Sequence, residues 1–116
     1  MTIYNKVARP WGGYAILKKT RTFWIKKLFV NRHARLSLQS HRFRSEVWFV
    51  ISGVIHAQVG NQIHRAKAGD IIYVPVNRKH RIFAVNDACV LEFAFGLVLE
   101  HDITRYEDDY GRVKPG

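Results

Sequence analysis

The sequence predicts an all-β domain, a sandwich or barrel of short strands. Runs rich in Val, Ile, Phe, Trp and Tyr alternate along the chain with turn signals such as Gly12-Gly13, Ser52-Gly53 and Gly60-Asn61. No stretch before residue 100 shows the sustained apolar period of a helix. With 116 residues, 47% of them hydrophobic, the chain has room for one domain with one core.

Turn signals divide the chain into nine predicted strands. The first follows Gly12-Gly13, and the second ends at Asn31-Arg32-His33, where the third begins. The later strands are separated by Ser52-Gly53, Gly60-Asn61, Ala68-Gly69-Asp70, Pro75-Val76-Asn77 and Asn86-Asp87. In chain order, the predicted strands cover residues 13–18, 22–30, 34–40, 46–52, 54–59, 62–67, 70–74, 80–86 and 88–96.

This number and spacing of strands is typical of closed or two-layered β architectures. The sequence shows no internal repeat and no linker. We therefore predict a single domain over residues 1–116, with the barrel over about 12–99 and a short helical or irregular acidic tail over 100–116.

The apolar pattern of two strands predicts a partner. Residues 34–41 alternate apolar and polar side chains, so the polar ones share one face. Residues 47–51 are apolar on both faces, and a further apolar stripe consists of Leu91, Phe93 and Phe95. Strands buried on both sides in so small a domain need a second layer or a partner subunit. We therefore expect a homodimer.

The charge of the chain is strongly positive. It has 19 Lys and Arg against 9 Asp and Glu, and residues 1–99 alone carry 16 basic and 4 acidic side chains, about +12. Such a charge attracts anions, from nucleic acids to phosphorylated metabolites, although a solvated cationic surface explains the same composition. Because the basic residues are spread along the chain without a compact basic helix or arm, we do not expect a nucleic-acid partner.

The compartment follows from what the sequence lacks. The single cysteine, Cys89, cannot form an internal disulfide, and no basic-then-apolar leader opens the sequence. The most apolar stretch, residues 88–99, is interrupted by Glu92 and is shorter than the roughly 20 residues that span a bilayer. We expect a cytoplasmic protein that does not cross a membrane.

A candidate metal site emerges from the polar residues of these strands. Gln39 and His41 lie two positions apart on one strand face, Glu46 opens the most apolar strand, and His80 begins a later strand. Two imidazoles, a carboxylate and an amide oxygen suit a divalent ion, with zinc expected first and Mn, Co, Ni or Fe as alternatives. The spacing alone favours the alternative, in which His41 and His80 are ordinary polar residues of a sheet.

Two motifs in this region resemble those of the cupin superfamily. Gln39-Ser40-His41, four residues, Glu46, six residues and Gly53 resemble the first motif, with Gln39 in place of its usual first histidine. Gly69, five residues, Pro75, one residue, Asn77, two residues and His80 resemble the second, with Asn77 where glycine is common. The resemblance implies a double-stranded β-helix, or jelly-roll, barrel that binds a metal inside through Gln39, His41, Glu46 and His80.

Three further segments are similar to the type II phosphomannose isomerase domain, usually the C-terminal part of bifunctional mannose-1-phosphate guanylyltransferases. They are Arg9-Pro10-Trp11-Gly12-Gly13-Tyr14, Arg35-Leu36-Ser37-Leu38-Gln39, and the tail from Asp102-Ile103 to Gly111-Arg112. The resemblance implies a metal-dependent isomerase that interconverts mannose 6-phosphate and fructose 6-phosphate. No nucleotidyltransferase portion or Gly-rich phosphate-binding loop is present in the sequence, so guanylyl transfer is not expected.

The resemblance also assigns roles to individual residues. Arg44 matches the arginine of the family pattern and is implied to be catalytic and substrate-binding. Glu92 matches a glutamate of the pattern, and it is either a base whose pKa burial raises or a carboxylate satisfied by an arginine. Arg105 and Arg112 either reach the substrate phosphate, for which Arg105 is the candidate, or pair with acids of the tail.

The chain departs from the family pattern at several polar positions. His33 stands where glycine is usual, and apolar residues replace polar ones at Phe43, Val47, Ala84, Ala94 and Phe95. Because polar groups around a metal site orient its ligands and its substrate, these changes favour an alternative function. That alternative is a non-catalytic cupin that binds a sugar or a small anion.

Overall fold

The computed structural model describes residues 6–113, and within that range the chain forms eleven strands and no helix. None of these residues forms a helix long and apolar enough to cross a bilayer. The strands are β1 (Lys6–Arg9), β2 (Gly12–Lys19), β3 (Phe23–Val30), β4 (Leu38–Ser40), β5 (Arg44–Ser52), β6 (Val54–Val59), β7 (Gln62–Lys67), β8 (Ile71–Val74), β9 (His80–Ala84), β10 (Ala88–Gly96) and β11 (Thr104–Glu107).

Two antiparallel sheets pack against each other. One has the strand order β1-β2-β3-β10-β5-β8 and the other the order β11-β4-β9-β6-β7. Their inner faces bury a core that includes Trp48 and Val50 from the first sheet and Ile55 and Ile82 from the second. Burying such side chains is the main favourable contribution to folding, at roughly 1.5–3 kcal/mol each. The all-β, two-layered prediction is confirmed.

The ends of the nine predicted strands agree with the structure to within two residues, with one exception. The strand predicted over 34–40 is reduced to Leu38–Ser40. Residues 34–36 still lie beside β9, because the Leu36 amide donates to the Ile82 carbonyl at 2.9 Å and the Ala84 amide to the Ala34 carbonyl at 3.0 Å. The backbone of His33 has a φ of +65°, so the chain bends sharply just before this segment.

Two strands were not predicted. Both β1 and β11 have four residues that are mostly exposed, so neither shows the apolar alternation by which strands are recognised. The expected helical or irregular tail over 100–116 is therefore wrong for residues 104–107, which form β11 and pair with β4. Arg105 lies opposite Gln39 in this pairing. Residues 114–116 of the tail and residues 1–5 lie outside the described residues.

The outer face of the six-stranded sheet is apolar. Phe93 on β10 lies between Ile25 on β3 and Val47 on β5, and Val47 pairs with Tyr73 on β8. Tyr73 is 60% exposed. No second layer covers this face within residues 6–113. The apolar stripe predicted from the sequence is therefore real, and its expected partner subunit stays a prediction.

Candidate metal centre

His41, Glu46 and His80 converge inside the barrel. His41 Nε2 lies 3.2 Å from Glu46 Oε2, and His80 Nε2 lies 3.8 Å from Glu46 Oε1. All three side chains are buried, and one donor atom from each lies within 4.8 Å of the others. The structure thus brings together three of the four side chains that the sequence predicts as metal ligands.

These three side chains lie close together because each is at or near the end of a strand and the strands are paired in a fixed register. His41 directly follows β4, Glu46 lies on the inner face near the start of β5, and His80 is the first residue of β9. Gln39 pairs with His80 across β4 and β9, which fixes the two motifs next to each other. Residues far apart in the chain therefore meet because paired strands from both sheets present their ends at one point.

Backbone carbonyls orient both imidazoles. His41 Nδ1 lies 2.7 Å from the Asp102 carbonyl oxygen, and His80 Nδ1 lies 2.9 Å from that of Arg78. Because a carbonyl oxygen can only accept a hydrogen bond, each Nδ1 must carry the proton. The other ring nitrogen of each histidine, Nε2, faces Glu46. Histidine ligands of metals are held in the same way, with the second ring nitrogen donating to a carbonyl or carboxylate.

The charges of the cluster suit a cation. Although burial opposes it, the hydrogen bond with His41 and the positive charges of His80, His41 and Arg44 hold the pKa of Glu46 well below its ordinary value. Burial lowers the pKa of His80, against the opposing effect of the Glu46 charge. An ionised carboxylate and imidazole lone pairs at these distances repel one another unless a cation or a proton lies between them.

Gln39 is placed to complete the ligand set. Its side-chain nitrogen donates to Ser37 Oγ at 2.9 Å, which leaves the amide oxygen as the free acceptor. The side chain borders a small void of about 20 Å³ together with Glu46 and His80. Two imidazole nitrogens, a carboxylate and an amide oxygen fit a borderline divalent ion. The position of Gln39 beside the cluster is thus observed, and its coordination stays a prediction.

Arg44 lies against the same cluster. Its Nε donates to Glu46 Oε2 at 3.2 Å, and its Nη2 lies 3.2 Å from His41 Nε2. The guanidinium carbon is 4.4 Å from the centre of the Trp24 ring, and the side chain is buried. Arg44 belongs to β5 and faces inward, so it is not a surface arginine in a turn.

A cavity of about 280 Å³ adjoins the cluster. Gln39, Arg44 and Glu92 line it on the side of the metal ligands. The charged side chains that line it are Arg9, Lys26, Arg44, Arg105 and Arg112 against Glu92 and Glu100. Cations therefore outnumber acids around the cavity, which favours an anionic ligand of about the size of a sugar phosphate.

Glu92 faces this cavity from β10. It pairs with Lys26 across β3 and β10, and its Oε2 accepts a hydrogen bond of 3.1 Å from Trp24 Nε1. Burial and then the negative charge of Glu46 raise the pKa of Glu92 to about 7, against the opposing charges of Lys26 and Arg44. Within residues 6–113 no arginine forms an ion pair with this carboxylate, so the alternative of a carboxylate satisfied by an arginine is not seen there. The role of Glu92 as a base stays a prediction.

The two arginines of the tail behave differently. Arg112 pairs with Asp108 through two hydrogen bonds of 2.9 and 3.0 Å, as the pairing alternative predicts. Arg105 makes no ion pair within the described range, and its buried Nε has no hydrogen-bond partner there. A buried guanidinium N–H without an acceptor is costly, so Arg105 is poised for an anionic ligand.

Several residues of the site were missed by the sequence analysis. Lys26 Nζ lies 3.7 Å from the centre of the Trp24 ring and 4.8 Å from that of Tyr14, and all three side chains line the cavity. Burial lowers the pKa of Lys26. Asp102 was seen only as part of an acidic tail, yet it is buried beside His41. Trp24 and Lys26 lie two positions apart on β3 and so share one face of the strand. That spacing was the signal in the sequence that could have placed both side chains inside the barrel.

The altered polar positions lie away from the cavity. Phe43 and Phe95 are 48% and 45% exposed, and Val47 lies on the outer face of its sheet. Ala84 and Ala94 are fully buried within the two hydrophobic clusters. None of the five lines the cavity of 280 Å³. Ala94, however, lies opposite Glu46 in the pairing of β10 with β5, so this one of the five changes is next to the cluster.

Comparison with known proteins gives a consistent picture. The family model described as mannose-6-phosphate isomerase C-terminal matches residues 1–108. The xanthan biosynthesis protein XanB of Xanthomonas campestris pv. campestris (strain B100) is 35% identical over 115 residues, which is 97% of this chain and 25% of XanB. The mannose-1-phosphate guanylyltransferase ManC of Salmonella typhimurium is 29% identical over 114 residues, or 96% of this chain and 24% of ManC.

The chain thus spans about a quarter of the length of these curated relatives. Among solved structures, an RmlC-like cupin from Shewanella frigidimarina superposes with a TM-score of 0.67 at 22% identity. The superposition covers 76% of this chain and 78% of that structure. This similarity confirms the predicted cupin barrel.

Proposed function

Because the chain belongs to the mannose-6-phosphate isomerase C-terminal family, we propose that it is a metal-dependent isomerase that interconverts mannose 6-phosphate and fructose 6-phosphate. The observation that carries this proposal is the buried cluster of His41, Glu46 and His80, with both Nε2 atoms turned toward the carboxylate, beside a cavity that Glu92 faces. Gln39 and the candidate base Glu92 thus line one cationic cavity, and Arg44 links that cavity to the buried cluster.

The metal site is the first part of the proposal. A divalent ion held by Gln39, His41, Glu46 and His80 would polarise the substrate carbonyl and the adjacent hydroxyl. Zinc is our first candidate, because it combines imidazole and carboxylate ligands in tetrahedral sites. Mn, Co, Ni and Fe accept the same donor types and remain alternatives.

Glu92 is proposed as the base of the isomerisation. Starting from the open-chain aldose, its carboxylate takes the proton from C2 and returns it to C1, while the hydroxyl proton passes from O2 to O1 through an enediol. A pKa of about 7 suits a base at neutral pH, because the carboxylate is partly ionised and still basic enough to accept a proton. Arg44 lies between the cluster and the cavity, where its cation would bind the substrate oxygens.

Arg105 is proposed to bind the phosphate. Replacing Arg105 by Ala should raise KM for mannose 6-phosphate about 10- to 100-fold, which corresponds to the loss of a charge-assisted hydrogen bond. Steady-state kinetics checks this, with Arg35→Ala as the control, because Arg35 pairs with Asp109 at the surface outside the cavity. An unchanged KM in Arg105→Ala would remove Arg105 from the substrate site.

A second candidate function is a non-catalytic cupin that binds a sugar or a small anion. The contacts of Arg44 favour it, because they supply hydrogens to Glu46 Oε2 and His41 Nε2, the atoms that would bind the metal. In such a protein the guanidinium would stand permanently in place of the ion. Titration calorimetry with mannose 6-phosphate on chelated protein separates the two, since only the second candidate binds equally well without metal.

We also propose a homodimer formed through the apolar outer face of β3, β10, β5 and β8. Tyr73→Lys should weaken the dimer about 10- to 100-fold, since a charge would replace an exposed aromatic side chain in the apolar interface. Analytical ultracentrifugation measures this, with Ile63→Lys as the control, because Ile63 is 67% exposed on β7 of the other sheet. A wild-type monomer at micromolar concentration would exclude this dimer.

The proposed location is the cytoplasm. Cys89, the single cysteine, is buried and free, as is usual for proteins of a reducing compartment. Sugar phosphates as substrates support the same location.

A further inference from the structure

The segment that joins β10 to β11 passes over the metal cluster. Asp102 in this segment is 7% exposed, although it lies among the acidic residues at the C-terminal end of the chain. Its own amide donates to the Leu99 carbonyl at 3.1 Å, which folds the segment back on itself. The Leu99 carbonyl also lies 3.4 Å from Arg44 Nη1. The segment therefore contacts the cluster at more than one point.

Asp102 makes hydrogen bonds to three successive residues. Its Oδ1 accepts the backbone N–H of Arg42 at 2.9 Å, and its Oδ2 accepts that of Phe43 at 2.9 Å. Its carbonyl oxygen accepts the Nδ1 proton of His41 at 2.7 Å. These three residues form the turn between β4 and β5, which connects two of the metal ligands.

These bonds determine where His41 Nε2 points. The carbonyl fixes the tautomer and the plane of the imidazole, and the carboxylate fixes the backbone turn from which that side chain extends. Both amide hydrogen bonds favour the ionised carboxylate and, against the effect of burial, lower the pKa of Asp102. Few other contacts hold this turn, apart from the His41 carbonyl accepting the Asn77 amide at 2.7 Å and the Phe43 carbonyl accepting the Leu97 amide at 2.9 Å.

We propose that Asp102 is a positioning residue for the metal centre: it holds the turn of residues 41–43 so that His41 Nε2 meets Glu46 at the distance that a metal ion requires. The proposal rests on the metal site of the proposed function and does not depend on the isomerisation. Groups that orient metal ligands typically contribute about 10- to 100-fold to metal affinity.

The test measures zinc affinity of the full chain rather than turnover. Chelated wild type, Asp102→Ala and Asp102→Asn are titrated with Zn²⁺ in competition with a chromophoric chelator. Asp109→Ala is the matched control, because Asp109 belongs to the same acidic tail and, among residues 6–113, its ion pair is with Arg35 at the surface. Thermal unfolding of each metal-free protein is recorded alongside.

Asp102→Ala should bind Zn²⁺ about 10- to 100-fold more weakly than wild type, and Asp102→Asn should lose less, because an amide oxygen can still accept one of the two N–H bonds. Asp109→Ala should match wild type. If Asp102→Ala does not fold, Asp102→Asn decides. Folded Asp102 variants with unchanged affinity, even at a lower melting temperature, would overturn the proposal, as would wild type that binds no Zn²⁺. Weakened binding in a protein without isomerase activity would overturn the proposed function alone.

Discussion

Glu46→Gln should reduce turnover of mannose 6-phosphate by about 1,000-fold or more, since losing metal polarisation of the carbonyl removes several kcal/mol of transition-state stabilisation. The amide has no negative charge to attract the ion, and it offers one acceptor oxygen where the carboxylate offers two. Metal content after dialysis against zinc should fall in parallel.

The same substitution also affects folding. Glu46 is buried against Arg44, and removing the counter-charge of a buried cation typically costs about 3–5 kcal/mol. Turnover is therefore compared on protein shown to be folded by circular dichroism. His80→Gln leaves the Arg44 to Glu46 ion pair in place and should lose turnover similarly. Glu107→Gln, which removes an exposed carboxylate paired with Arg81, is the control. Full turnover in folded Glu46→Gln would exclude it as a metal ligand.

Glu92→Gln should lower kcat by about 100- to 10,000-fold, the usual contribution of a general base, and leave metal affinity unchanged. The amide keeps the shape and can still accept the Trp24 hydrogen bond, but it cannot take a proton. The cavity and the strand pairing should stay intact, so the loss reports the proton transfer.

The pH dependence gives a second readout for Glu92. The base must be ionised to act. Without a metal, burial and the charge of Glu46 raise its pKa to about 7, and a bound cation would lower it from there, so kcat/KM of the metal-loaded wild type should rise with pH up to about 7. The second ionisation of the substrate phosphate, near pH 6, adds an earlier rise. Glu92→Gln should keep the earlier rise and lose the later one. A profile with both rises intact in the variant would show that another group is the base.

The strands could be predicted because several of the turns between them need a particular residue type, most often glycine, that is visible in the sequence. Gly53 has a φ of +78°, and a Cβ at this position would lie 2.3 Å from the Asp87 carbonyl oxygen. The turn between β5 and β6 therefore demands glycine, and the sequence shows it directly. Strand β11 lacks such a mark, because a short exposed strand is held by backbone pairing that leaves no apolar pattern.

The structure explains two positions at which the chain departs from the family pattern. His33 and Asn77, which stand where glycine is usual, have φ values of +65° and +62°. Both belong to the residue types that enter this left-handed region most readily after glycine. His33 and Asn77 can therefore adopt the same turn conformations as glycine. The turn before His80 keeps its geometry although Asn77 replaces glycine there.

The cluster of His41, Glu46 and His80 could be predicted because the two motifs place these residues at strand ends. Trp24, Lys26 and Asp102 could not, because their roles depend on which distant strands pair. Asp102 bonds to Arg42 across 60 positions of the chain, and Glu92 meets Trp24 across 68. Local patterns specify the strands and their faces, whereas these neighbours follow from the order of strands in the sheets.

The most direct test of a metal-dependent isomerase is a coupled assay of fructose 6-phosphate formed from mannose 6-phosphate. Chelated protein is assayed first, and then after adding back Zn, Mn, Co, Ni or Fe in turn. The proposed function predicts no turnover without metal and restored turnover with at least one of these ions, lost again in Glu46→Gln. Folded wild-type protein that binds zinc and mannose 6-phosphate yet forms no product with any of these metals would contradict it.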